Sequence, residues 1–216
     1  MTEEFPAERR TAARGRTGAI IVAAGAAARM GQLKQLLAYR GRTLLQHSIE
    51  QALGAGFDPV VVVVGSNGQM LSEAIADEPV EIVFNARWET GMGSSITAGM
   101  RALITKDEVP HAVAILVADQ PLIEAKHLTA MRELLSTAGG PIVAAQYSGT
   151  IGVPALFTQE LFGALSSLQP EAGARSLLRS SGADVTPFPL PEGAVDIDTP
   201  EEFENFIAGV EFRHRT

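Results

Sequence analysis

The residues able to do chemistry fall in a few short stretches set between apolar runs. The first is Ala23-Ala24-Gly25-Ala26-Ala27-Ala28-Arg29-Met30-Gly31-Gln32-Leu33-Lys34. Six consecutive small residues let a ligand approach the main chain, whose N–H groups in such a turn form an anion-binding concavity. Arg29 adds a forked cation and Lys34 a compact one, both suited to phosphate oxygens. The loop matches neither Gly-x-x-x-x-Gly-Lys-Ser/Thr nor Gly-x-Gly-x-x-Gly, so it is not a Walker A loop or a dinucleotide fingerprint. On residue types alone it reads either as a phosphate cradle or as a tight strand-to-helix turn with surface cations.

Two aspartates form the second candidate. Asp119 follows the apolar run Ala112–Ala118 in Asp119-Gln120-Pro121, and a carboxylate at a strand end sits poorly in a core. Asp198 lies in Asp196-Ile197-Asp198-Thr199-Pro200, where Asp198 or Thr199 equally serves as a helix cap. Taken together they suit a hard cation, Mg²⁺ or Mn²⁺, which takes one or two carboxylates and completes its shell with water and phosphate. His47, His111, His127 and His214 form no close pair at metal-ligand spacing, and there is no cysteine. The third candidate is Asn85-Ala86-Arg87-Trp88-Glu89-Thr90-Gly91-Met92-Gly93-Ser94-Ser95. Its two serines at a helix start either present N–H groups to an anion or cap a hairpin-like loop.

These stretches need elements to position them. Ala19–Ala23, Pro59–Val64, Val80–Phe84, Ala112–Ala118 and Pro141–Ala145 are continuously apolar, as strands covered on both faces are. Thr43–Ala55, Ser94–Ile104 and Glu124–Ser136 carry apolar residues at helical spacing. A last helix opens at Thr199-Pro200-Glu201-Glu202 and runs to about Ala208. The alternation predicts an α/β domain, a three-layer α/β/α Rossmann-like fold with a mostly parallel sheet, whose ligands gather at the C-terminal strand ends. The expected organisation is a leader over 1–17, one domain over 18–210 and a tail over 211–216.

Composition narrows the function classes. At 216 residues, 46% hydrophobic and 19% charged, the chain can bury a substantial core. A net charge of −8 argues against broad nucleic-acid binding. No apolar run approaches the about 20 residues of a membrane span. A cytoplasmic location is the expectation.

The stretch Ala-Ala-Gly-x-x-x-Arg-Met-Gly-x-x-Lys-x-Leu-Leu after the first strand resembles the signature of the molybdenum-cofactor nucleotidyltransferases. These are the cytidylyl and guanylyl transferases that turn molybdopterin into its dinucleotide form. The resemblance continues, in order, through Asn85–Ser95, Asp119-Gln120-Pro121, Gly152-Val153-Pro154-Ala155-Leu156-Phe157, Gly173-Ala174-Arg175-Ser176-Leu177-Leu178 and Asp196–Pro200. It implies a catalytic set of Lys34, Arg29 and Asp119. It also implies metal ligation by Asp119 and Asp198, with Asp196 beside them in a supporting or structural part. Nucleotide contacts follow at Ala23, Ala24, Gly25, Asn85, Gly91 and Ser94, and acceptor contacts at Ser95, Gly152 and Arg175. Val153 stands where many relatives have histidine, and Ala172 where an acidic residue usually precedes the glycine.

The expected reaction is metal-dependent transfer of a nucleotidyl group to molybdopterin with loss of pyrophosphate. Ala24, where guanylyl-transferring relatives tend to have glycine, points to CTP over GTP. A molybdenum hydroxylase apoenzyme is an expected downstream partner. The competing expectations are a sugar-phosphate or methylerythritol-phosphate nucleotidyltransferase and a non-enzymatic accessory protein for molybdenum-enzyme maturation. An NAD-dependent dehydrogenase would lack its glycine fingerprint.

Overall fold

The computed structural model describes residues 15–25 and 33–213. The valine- and isoleucine-rich runs form strands, because branched side chains fit a pleated surface packed on both sides. They assemble with later segments into one seven-stranded sheet of order β5-β4-β1-β6-β8-β7-β9. These strands are β1 (Thr17–Ala23), β4 (Val60–Val64), β5 (Glu81–Phe84), β6 (Ala112–Val117), β7 (Ile142–Tyr147), β8 (Thr150–Thr158) and β9 (Val185–Pro189). A short hairpin, β2 (Ala38–Tyr39) and β3 (Arg42–Thr43), stands apart. All neighbouring pairs of the large sheet run parallel except those that β8 makes with β6 and β7.

Alternation along the strands sends side chains to two helical layers. Ala19, Ile21, Val62 and Leu116 meet Leu45, Ile49 and Ala52 of α1 (Leu44–Gly54), Leu71 of α2 (Gly68–Ala74), and Leu128 and Met131 of α4 (Ala125–Thr137). Ile20, Val63, Val113 and Ile115 face the other way. They meet Ile96, Met100 and Leu103 of α3 (Met92–Ile104), Leu165 of α5 (Phe162–Ser166) and Leu178 of α6 (Ala174–Ser181). The three-layer α/β/α reading therefore holds. The last helix, α7 (Pro200–Arg213), packs Phe203, Phe206 and Ile207 on a separate small cluster of Leu37, Tyr39, Leu44 and Ile197.

The chain leaves β1 through α1 towards β4, yet β6 comes to lie on β1's other flank. Strand order thus reverses at β1, which opens a crevice at the C-terminal ends of β1 and β6. The predicted strand and helix positions fall within a few residues of those observed. Strand β1 begins at Thr17, and Arg16 before it is ion-paired with Asp58 and Glu108. The last helix continues past Ala208 to Arg213.

Candidate active site

Lys34, Asp119 and Asp198 meet at that crevice. Lys34 opens a 3-10 turn over Lys34–Leu36, tightened by Leu37 N–H donating to Lys34 O. Asp119 follows β6. Its carbonyl accepts from Ile197 N–H at 3.1 Å, so the Asp196–Asp198 segment lies alongside it. Thr199 and Glu202 then form a capping box. Thr199 Oγ1 accepts from Glu202 N–H, and Glu202 Oε2 accepts from the N–H groups of Asp198 and Thr199. That cap fixes Asp198 where the chain turns into α7.

The Lys34 ammonium donates to Asp119 Oδ2 at 2.6 Å and to Asp198 Oδ1 at 2.9 Å. The side chains of Lys34 and Asp119 are 19% and 23% exposed, so this charge pair is largely withdrawn from water; Asp198 is 46% exposed. Burial works against a charged ammonium and is the largest single influence on Lys34. The attraction and hydrogen bonds of Asp119 and then Asp198 outweigh it, so the group titrates above an ordinary lysine.

Two carboxylates converging on one cation make a hard-oxygen donor set, and the ammonium shows that a positive charge is stable at their meeting point. The set suits a divalent cation whose remaining positions are filled by water and phosphate. Among the described residues, no group of three or more His, Cys, Asp or Glu gathers to hold a metal by protein ligands alone.

The nucleotide-side candidates lie around the ends of β1, β4 and β5. Ala23 and Ala24 are buried and Gly25 is open. The buried Gln35 amide donates at 3.4 and 3.5 Å to the carbonyls of Ala23 and Gly25. Arg29 lies outside the described residues, as does the rest of 26–32. Asn85 is buried and fully engaged: its amide donates to Ser94 Oγ at 2.8 Å and Ser95 Oγ at 3.0 Å, while Oδ1 accepts from Arg87 N–H. Ser94 Oγ donates in turn to the carbonyls of Gly91 and Arg87.

At the start of α3 the first-turn N–H groups are engaged within the fold. Gly93 N–H donates to Pro170 O, in the segment before α6, and Ser94 N–H donates to Gly91 O within its own turn. A Cβ at Gly93 would stand 2.1 Å from Gln169 O and 2.2 Å from Ala172 O; at Gly91, whose φ is +120°, it would stand 2.6 Å from Pro170 O. These glycines exist to let two backbones touch. Ser95 is 2% exposed and held by Asn85. Arg175 is exposed on α6, with no ion pair among the described residues. Gly152 lies on β8 beside the end of β6.

Sequence reasoning passed over Gly65, Gln120 and Tyr147. A Cβ at Gly65 would meet Trp88 at 2.5 Å and Ala24 O at 2.8 Å, so Trp88 closes over the ends of β1 and β4. Only the lone tryptophan hinted at this corner. Gln120 and Tyr147 both reach the carbonyl of Val153, Gln120 from a segment too distant in sequence to read.

Known proteins carry the same frame. The family described as the MobA-like NTP transferase domain matches residues 19–185, which include Lys34 and Asp119 but stop short of Asp198. Nicotine blue oxidoreductase of Paenarthrobacter nicotinovorans is 36% identical over 87% of this chain and 95% of its own length. The purine catabolism protein PucB of Bacillus subtilis is 31% identical over 86% and 93%. The molybdenum cofactor cytidylyltransferase of Escherichia coli is 27% identical over 85% and 92%. Among solved structures, Rv0371c of Mycobacterium tuberculosis superposes with a TM-score of 0.76 at 26% identity, covering 88% of this chain and 96% of that one. A manganese complex of Rv0371c superposes with a TM-score of 0.71 at 22% identity, covering 88% and 97%. A match over most of the chain, on a sheet whose crevice holds a paired lysine and aspartate, places this chain in the MobA-like NTP transferase family.

Proposed function

We propose that the chain transfers CMP from CTP to molybdopterin with release of pyrophosphate, in the presence of Mg²⁺ or Mn²⁺. The observation that carries this reading is the Lys34 ammonium held between Asp119 and Asp198 at the C-terminal crevice. The relative named as a cytidylyltransferase supports the acceptor and the base, and the manganese complex of Rv0371c supports the cation.

Asp119 and Asp198 would hold the metal, which supplies charge neutralisation at the α-phosphate when bound. Lys34 and Arg29 supply positive charge where pyrophosphate departs. Transfer between phosphates needs alignment and charge stabilisation more than a covalent nucleophile. The acceptor phosphate is already an anion, so no side chain is required as its base. On the base side, Ala24 and Trp88 crowd the ends of β1 and β4, where one methyl group changes the room available.

The test is incubation with CTP, GTP or ATP, molybdopterin and Mg²⁺, following pyrophosphate. Release with CTP above the other two is expected; release only with a sugar phosphate or methylerythritol phosphate reassigns the acceptor. No release with any triphosphate, alongside metal-dependent nucleotide binding, favours the accessory role. A second reading rests on the relative called an oxidoreductase. It predicts redox turnover of a small-molecule substrate with no triphosphate present.

A further inference from the structure

Strand β8 carries an irregularity beside the site. Ala144 of β7 pairs with Ala155 of β8, but the next residue, Ala145, pairs with Gly152. Val153 and Pro154 are therefore extra residues bulged out of the ladder, and the Val153 carbonyl loses its regular backbone partner. Two side chains take its place. Tyr147 Oη donates to it at 3.1 Å and Gln120 Nε2 at 3.2 Å; the same Gln120 amide donates to Gly193 O at 2.8 Å.

The Tyr147 side chain fills space that two glycines leave. A Cβ at Gly152 would stand 2.5 Å from its hydroxyl, and one at Gly193 2.7 Å from its ring. Four segments thus lock together: Gln120 after β6, Tyr147 at the end of β7, the β8 bulge, and the turn after β9. All lie at the site end of the sheet, since β8 runs antiparallel to β6 and its first residues flank β6's last.

The order β4-β1-β6-β8 puts Asp119 between two sides. Ala24, Gly65 and Trp88 lie on the β1–β4 side, and the bulge lies on the other. Gln120 is the residue next to Asp119, so its two bonds tie the bulge and the turn after β9 to the segment that carries Asp119. We infer that Tyr147 and Gln120 are positioning residues for the acceptor: they hold the Val153–Pro154 bulge on the β8 side of Asp119, and neither serves the triphosphate.

This inference rests on the transfer reading above and is separable from it. The probe is Tyr147→Phe, which keeps the ring and removes one hydrogen bond. With molybdopterin, CTP and Mg²⁺, the KM for molybdopterin should rise about fivefold, the change produced when a misplaced bulge weakens binding by roughly 1 kcal/mol. The KM for CTP should stay near wild type, and the melting temperature should fall slightly, since the bond is present without substrate. Gln120→Asn, too short to span both carbonyls, should show the same split. An equal rise in both KM values, or a lowered melting temperature with the molybdopterin KM unchanged, would overturn the inference. Wild-type protein that releases no pyrophosphate contradicts the transfer reading instead. The comparison is then made on molybdopterin binding by calorimetry, where equal affinity of wild type and Tyr147→Phe, or no binding by either, overturns the positioning role.

Discussion

At the residue scale the site is a balance between one ammonium and two carboxylates. Removing Lys34 leaves Asp119 and Asp198 facing each other with their charge uncompensated, which disfavours the fold until another cation arrives. Lys34→Met should therefore melt below wild type in metal-free buffer and gain more from added Mn²⁺ than wild type does. A smaller gain would mean that the carboxylates are not a cation site. Asp119→Asn should lower pyrophosphate release by about 10²-fold or more, the scale of losing a preorganised electrostatic contact. His47 behaves differently. Its imidazole is buried against Pro121 O at 3.1 Å, and burial holds its pKa below the ordinary 6.5. A depressed pKa means that the unfolded chain binds the proton first, so His47 contributes stability above pH 6.5 that is lost as pH falls through its folded pKa. Arg40, Glu50 and Glu124 bear on the same ring more weakly. Denaturant melts across that range should show a steeper acid-side loss for wild type than for His47→Gln.

At the scale of elements, what positions these residues is a set of contacts between backbones. The start of α3 meets the segment before α6 through Gly91 and Gly93, and Gly93→Ala would press a methyl group into two carbonyls. That substitution should cost about 1–3 kcal/mol in chemical unfolding, the range for overpacking a site that cannot shift. Thr199→Ala should cost about 1 kcal/mol through the lost cap, and should weaken Mn²⁺ binding because the cap fixes Asp198. The parallel strands were legible because they are continuous apolar runs, and α1, α3 and α4 because of their periodicity. Strand β8 was not, since Gly152 and Pro154 read as breakers, while Gly152 stays in the ladder and Pro154 sits in a bulge. Strand β9 was hidden by Pro187 and Pro189, which are tolerated because it is an edge strand. The β2–β3 hairpin turns on Arg40 and Gly41, both at positive φ, without the Asn-Gly signal that announces such turns. The meeting of Lys34 with Asp119 and Asp198 was inferable only from their order and resemblance. Their spacing in sequence carries no geometry until the sheet's switch point is known.

At the scale of the molecule, the sheet's reversal at β1 gathers loops from distant parts of the chain to one rim. Ala24, Gly65 and Trp88 stand on the β1–β4 flank, and the braced bulge stands on the β8–β7 flank. The net charge of −8 makes the Lys34 cation at the crevice a local device, independent of any overall attraction to anions. Among the described residues, no helix is long and apolar enough to cross a membrane. The central claim is nucleotidyl transfer at the Lys34–Asp119–Asp198 crevice. Its most direct test is mass analysis of molybdopterin after incubation with CTP and Mg²⁺, for wild type and Asp119→Asn. Molybdopterin should gain one CMP for each pyrophosphate released by wild type, and Asp119→Asn should form little of the product. Unchanged molybdopterin with wild type, or equal conversion by Asp119→Asn, would contradict that claim.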